Sequence, residues 1–234
     1  ISNKIGKDVT IRPSLCFYNP NEVFRGLKQN MTIKKWHNFM ATKYKPKKSK
    51  FLVIYPCTTV KPYSASRSYK QLYSQLDRLN GKREQVKVMA ISEPFGLVPE
   101  EFFSKFTWYD CPGLFKWWCT KNGQEYEREF LEKSLDILSD AVGLYLKRAV
   151  KNRFHERIIG FVRTFSSGLE KKYDHTHRRM LEMASEKYNI DIEMMPSRTQ
   201  VKNLVEENGF FAWDMYGVAH TAMLKKLVNK IQAS

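Results

Sequence analysis

Four short strand-like runs alternate with helical patterns along this chain, and that alternation constrains its fold more than any other feature. Phe51 to Tyr55 form an apolar run suited to a strand buried on both faces, and Pro56 then turns the chain out of any central strand. Residues 86–91 (VKVMAI), 157–164 (RIIGFVRT) and Ile190 to Met195 repeat the strand signal. Between them, residues 67–79 place Tyr69, Leu72, Tyr73, Leu76 and Leu79 on one helical face, ended by Asn80-Gly81. A long helix is expected from about Glu125 to Asn152, another over 174–188, and mostly helix thereafter, ending at 214–231. Residues 20–44 read as two helical pieces, capped by Asn19 or Asn21 and by Thr32. The expectation is an α/β fold, a three-layer αβα sandwich around a short, about four-stranded parallel sheet. A helical N-terminal segment and lysine-rich connector (1–48) precede the core domain (49–234). There is no internal repeat.

Three segments follow predicted strand ends: PCTTVKPYSAS, SEPFGLVPEE and TFSSG. In a parallel sheet such loops share one edge, where open α/β sheets bind ligands. The first gathers Cys57, Lys61, Tyr63, Ser64 and Ser66, which are a nucleophile, a cation, a phenol and hydroxyls. Cys57 is either a nucleophile, with Lys61 favouring its thiolate, or a small buried residue. Glu93 stands in a loop stiffened by two prolines and a glycine, as a held carboxylate or as part of a plain rigid turn. His175 and His177 form an HxH, but on a helix their rings diverge by about 200°. No Cys, His or carboxylate spacing completes a metal site, so neither a metal nor another cofactor is expected. The chain carries no P-loop, GxGxxG or GxSxG, which removes the usual support for kinase, dinucleotide and α/β-hydrolase chemistry. Trp117 and Trp118 are aromatics that either stack on a base or pack in the core.

Forty Lys and Arg against 24 Asp and Glu give a net charge of +16. An excess this large points to a polyanion, most often nucleic acid; a merely solvated surface is the alternative. Candidate contacts are Lys47 and Lys48 in the connector, Arg67, and the Arg178–Arg179 pair. No apolar run approaches the ~18–20 residues of a membrane span, and no membrane partner is expected. Four scattered cysteines without a CxxC pair, and no signal-peptide pattern, imply reduced thiols and a cytoplasmic location. A chain opening on Ile1 rather than Met is what a fragment of a longer polypeptide would show.

At PCTTVKPYSASRSY the sequence resembles the core domain of archaeosine synthase, whose motif is PC, three residues, KPY, two residues, S, two residues, H. Cys57, Lys61, Pro62, Tyr63 and Ser66 match, while Tyr69 stands in place of the motif histidine. SEPFGLVPEEF is similar to the family's SEPLGLVP stretch, and YDCPG at 109–113 to its YDIPVTG. The resemblance implies a fold similar to uracil-DNA glycosylases. It also implies an amine transferase, without cofactor, acting on 7-cyano-7-deazaguanine in tRNA. The amine donor would be lysine, ammonia or another amine, and a radical-SAM partner would cleave a lysine adduct. Cys57 could add to the nitrile as a thioimidate; alternatively Tyr63 or Lys61 polarises it while Glu93 deprotonates the amine. Ser66 joins the catalytic candidates, and Ser64, Tyr69, Asp110 and Trp117 those that bind substrate. The replacement at Tyr69 removes a group that titrates near neutrality. A catalytically silent nucleic-acid-binding module, a copy acting on viral DNA and a base-excision enzyme are the other readings.

Overall fold

The computed structural model describes residues 11–114, 119, 123–164, 175–208 and 218–234. Strand β1 (Ser49–Pro56) is its axis. Phe51 to Tyr55 are each at most 1% exposed, so helices cover both sheet faces, as the uninterrupted apolar run requires. Around it lie β2 (Val86–Ser92), β3 (Gly96–Pro99), β4 (His155–Phe161) and β5 (Glu193–Met195), in the order β3-β2-β1-β4-β5. β1 runs parallel to both β2 and β4, and β4 parallel to β5.

Among the described residues the sheet therefore has five strands, not about four, and it is not wholly parallel. The additional strand, β3, lies inside SEPFGLVPEE, which the sequence pattern reads as a loop. Gly96, at φ +69°, reverses the chain, and Gly96 to Pro99 return antiparallel to β2. A left-handed residue is easily placed only at glycine, and Pro99 suits an edge strand. Four residues flanked by prolines carry too little pattern to announce a strand.

Among the described residues there are seven α-helices. α1 (Pro20–Gln29) is capped by Asn19, whose Oδ1 accepts from Glu22 N at 2.9 Å. α2 (Met31–Thr42) is capped by Asn30 rather than Thr32, because Asn30 Oδ1 accepts from the N–H groups of Thr32 and Ile33. α4 (Arg128–Lys151) packs against α1, α2 and α5 (Thr176–Tyr188), whereas α3 (Arg67–Leu76) packs against α7 (Thr221–Gln232). α6 (Arg198–Asn208) follows β5. Leu15, Val23, Leu27, Ile33 and Met40 from the N-terminal segment join the same apolar cluster as β1. No described helix is long and apolar enough to cross a membrane.

β2 and β4 flank β1 on opposite sides, so the chain reverses its direction of travel across the sheet at β1. In open α/β sheets that reversal leaves a crevice beyond the carboxyl ends of the strands. Cys57 follows β1 directly and Glu93 follows β2, while α5 follows the connection out of β4. Three chain segments are thereby delivered to one edge.

Candidate active site

The backbone of Cys57 continues the ladder past β1, its N–H donating to Ile91 O at 2.9 Å, which fixes the thiol beside the end of β2. Glu93 is 3% exposed. Its Oε1 accepts from Thr176 Oγ1 at 2.9 Å, and its Oε2 lies 3.0 Å from His177 Nε2. The same His177 nitrogen is 3.8 Å from Cys57 Sγ. A thiol, an imidazole and a carboxylate thus meet around one ring nitrogen, His177 Nε2.

Burial pushes Glu93 upward, but the His177 charge and the hydrogen bonds from His177 and Thr176 outweigh it and hold the carboxyl below its usual range. Burial lowers His177, yet the Glu93 charge and the facing Cys57 sulfur raise it to about 10. The pair is therefore carboxylate and imidazolium at neutral pH. His175, two residues earlier, is driven the other way, to about 3, by burial and by the charges of Arg163, Arg178 and Arg198. The HxH rings do diverge: His177 lines the cavity and His175 does not.

Cys57, Glu93 and His177 open onto a cavity of about 300 Å³, which Lys61, Tyr109, Cys111 and Arg163 also line. Lys61 is 3% exposed and makes no ion pair or hydrogen bond among the described residues. Its Nζ instead sits 4.3 Å from the centre of the Tyr109 ring. The face of that ring is a partial counter-charge, which leaves the ammonium able to take an anionic group of a ligand. Burial pushes the Cys111 thiol well up, which disfavours its thiolate.

The other expected site residues fall around this centre. Tyr63 lies behind it, its hydroxyl bonded to Ser92 Oγ and Tyr109 Oη and, through burial, pushed far above its ordinary value. Ser66 caps α3, its Oγ accepting from Tyr69 N. Ser64 is exposed, while the next hydroxyl along, Ser68, reaches the cavity. Tyr69 is fully buried, stacked on Tyr63 with ring centres 5.7 Å apart. Its hydroxyl has no partner among the described residues. Asp110 is buried with its backbone paired to Cys16, and its neighbours Tyr109 and Cys111 face the cavity instead. Trp117, Trp118 and the Ser166-Ser167-Gly168 turn lie outside the described residues.

The basic candidates divide. Arg178 pairs with Glu182 and Arg179 with Glu132. Lys47 and Lys48 border a groove at the start of β1, the sheet edge opposite Cys57. Arg67 is exposed at the first turn of α3. Sequence reasoning missed His177, which lies 84 positions from Glu93 and 120 from Cys57. Its signal was its place at the start of a helix that follows a strand, on the same edge as the two loops.

The three donor atoms of Cys57, Glu93 and His177 lie within 4.8 Å of one another. A thiolate, an imidazole and a carboxylate are a donor set that could hold zinc. The spacing of these residues in sequence gave no hint of such a set.

A family described as a domain of unknown function (DUF5591) matches residues 33–193, which include Cys57, Lys61, Glu93 and His177. The chain belongs to that family. It is also 34% identical over 73 residues to the archaeosine synthase subunit alpha of Thermococcus kodakarensis, a stretch covering 30% of this chain and 13% of that relative. The archaeosine synthase-like family expected from the PCTTVKPYSASRSY motif is thus the one found. The crystal structure of AF0587, a protein of unknown function, superimposes with a TM-score of 0.49 at 15% identity, covering 85% of this chain and 50% of that one.

Proposed function

We propose that this domain modifies a base carried in tRNA, transferring an amine onto the nitrile of 7-cyano-7-deazaguanine in an archaeosine-type reaction. The observation that carries this reading is the Cys57–His177–Glu93 cluster, gathered around His177 Nε2 and opening into a cavity of about 300 Å³. A nitrile carbon is a weak electrophile, and a thiolate paired with an imidazolium both attacks it and protonates its nitrogen. Sγ bonds to carbon, one carbon–nitrogen π bond breaks, and His177 gives its proton to the nitrogen, leaving a thioimidate. The neutral amine then adds to that carbon, the sulfur leaves as thiolate, and the amine proton returns to His177. The net change is nitrile plus amine to amidine, with no oxidant or reductant.

Glu93 keeps the ring charged and oriented for both transfers. Lys61 is suited to hold the carboxylate of an amino-acid donor such as lysine, rather than to polarise the nitrile. Tyr63, bonded to Ser92 and Tyr109, shapes the wall. The glycosylase-like arrangement belongs to the same reading, since a base within an RNA stem must leave the stack to reach a cavity at a sheet edge. A radical-SAM partner would act on the lysine adduct afterwards.

The test is incubation with cyano-deazaguanine-bearing tRNA and labelled lysine, followed by nucleoside mass spectrometry. The amidine adduct is expected with wild type and none with Cys57→Ala. Full activity of Cys57→Ala would make the sulfur structural and end the covalent route.

A further inference from the structure

Four exposed polar side chains follow one another along α3 and the turn after it: Arg67, Lys70, Ser74 and Arg78. Their spacings of three and four residues place them within an arc of about 80° and along about 16 Å of axis. The opposite face of the helix buries Tyr69, Leu72 and Leu76. The three cations border a groove shared with Gln71 and Thr221, and among the described residues no carboxylate lines it. None of the three makes a salt bridge among the described residues. The nearest acid in sequence, Asp77, faces Arg83 at 3.9 Å.

The α4–α5 face is built differently. Arg178, Arg179, Lys187 and Lys133 are all matched by acids on their own or a neighbouring helix. The groove at the opposite sheet edge mixes its lysines and arginines with Glu84, Glu156, Asp191 and Glu193. It also lies a full strand away from Cys57, about 25 Å along β1. The α3 groove, by contrast, begins at the cavity: Arg67 lines the groove and Ser68, the next residue, lines the cavity.

We propose that the outward face of α3 is the track for the phosphodiester backbone of the RNA whose base enters the Cys57 cavity. The inference rests on the function proposed above. Cations in a row without counter-charges neutralise successive phosphates and release their counterions, so affinity falls with salt in proportion to the contacts made. A track starting at the cavity mouth holds the strand while one base is turned inward.

The experiment measures the affinity of a fluorescein-labelled tRNA transcript for the protein between about 50 and 200 mM salt. Lys70→Ala/Arg78→Ala is compared with Lys47→Ala/Lys48→Ala at the opposite edge. All four side chains are exposed, and an unchanged melting temperature establishes that each variant is folded. The slope of log affinity against log salt should shrink by roughly 0.7 to 0.9 for each α3 cation removed and stay at the wild-type value in the other pair. A wild-type slope in the α3 variant overturns the track, as does wild-type protein that does not bind the transcript.

A separate arm follows the adduct between wild-type Cys57 and free 7-cyano-7-deazaguanine by intact-protein mass. If the adduct forms while the α3 variant keeps its slope, the track falls and the nitrile chemistry stands. If no adduct forms while the slope shrinks, the track stands and the nitrile chemistry falls.

Discussion

His175 and His177 are separated by one residue and have opposite fates. His175 packs among arginines and stays neutral, whereas His177 meets a buried carboxylate and carries a charge. The difference is set by which side of the first turn of α5 each ring leaves, a contrast that composition cannot reveal. It yields a prediction about Cys57. Replacing His177 with alanine removes the cation facing the sulfur, so alkylation of Cys57 by iodoacetamide at pH 7 should slow by on the order of tenfold. Peptide mapping reads it, with Cys111, whose thiol burial pushes well up, followed alongside as the slower control. An unchanged Cys57 rate would mean that the 3.8 Å approach has no chemical consequence. At this scale Cys57, Lys61 and Glu93 were legible because each sits just beyond an apolar run. His177 was not, because nothing local announces a partner 84 positions away. Tyr69 shows the converse: it stands where the family motif has histidine, yet its stacked and buried ring lies behind the cavity wall.

At the scale of elements, the alternation of runs gave β1, β2 and β4, the end of the expected 190–195 run as β5, and the helices between them, because apolar runs persist where strands are covered on both faces. The antiparallel β3 escaped because its information is a glycine torsion and a ladder with β2, neither of which is a hydrophobic period. Close packing between helices is equally silent in sequence. Gly143 sits mid-way along α4, where alanine ordinarily gains about 1 kcal/mol in helix propensity. Here a methyl group would lie 2.2 Å from Tyr188 Cδ2 and 3.0 Å from Cγ, the rigid base of a ring whose hydroxyl is bonded to Asp140. The ring cannot withdraw without losing that bond and the α4–α5 contact. Gly143→Ala is therefore expected to destabilise by about 1–3 kcal/mol, the usual cost of overpacking, seen as a lower denaturant midpoint. A midpoint equal to or above wild type would show that the two helices part freely.

For the whole molecule, the buried histidines set how stability depends on pH. His37, His155 and His175 have folded values lowered from 6.5, to about 4, 4 and 3, chiefly by burial. Below pH 6.5 the unfolded chain binds protons that the folded one refuses, so each costs about 1.4 kcal/mol per pH unit until its folded value is reached. His177 has the reverse sign. Its folded value is raised from 6.5 to about 10, so its contribution is complete below pH 6.5 and drains away as pH rises toward 10. Glu93, lowered from 4.5, contributes fully above that value and loses its share only as pH falls through its folded value. Stability should therefore peak near pH 6.5, falling on the acid side through three neutral histidines and on the alkaline side through one charged one. Urea unfolding across pH 4.5 to 9, about two units either way, reads both limbs. In His177→Gln the acid limb should remain while the loss between pH 6.5 and 9 disappears, because the group responsible is gone. If the alkaline loss persisted in that variant, the charge on His177 would not be what couples this site to the fold.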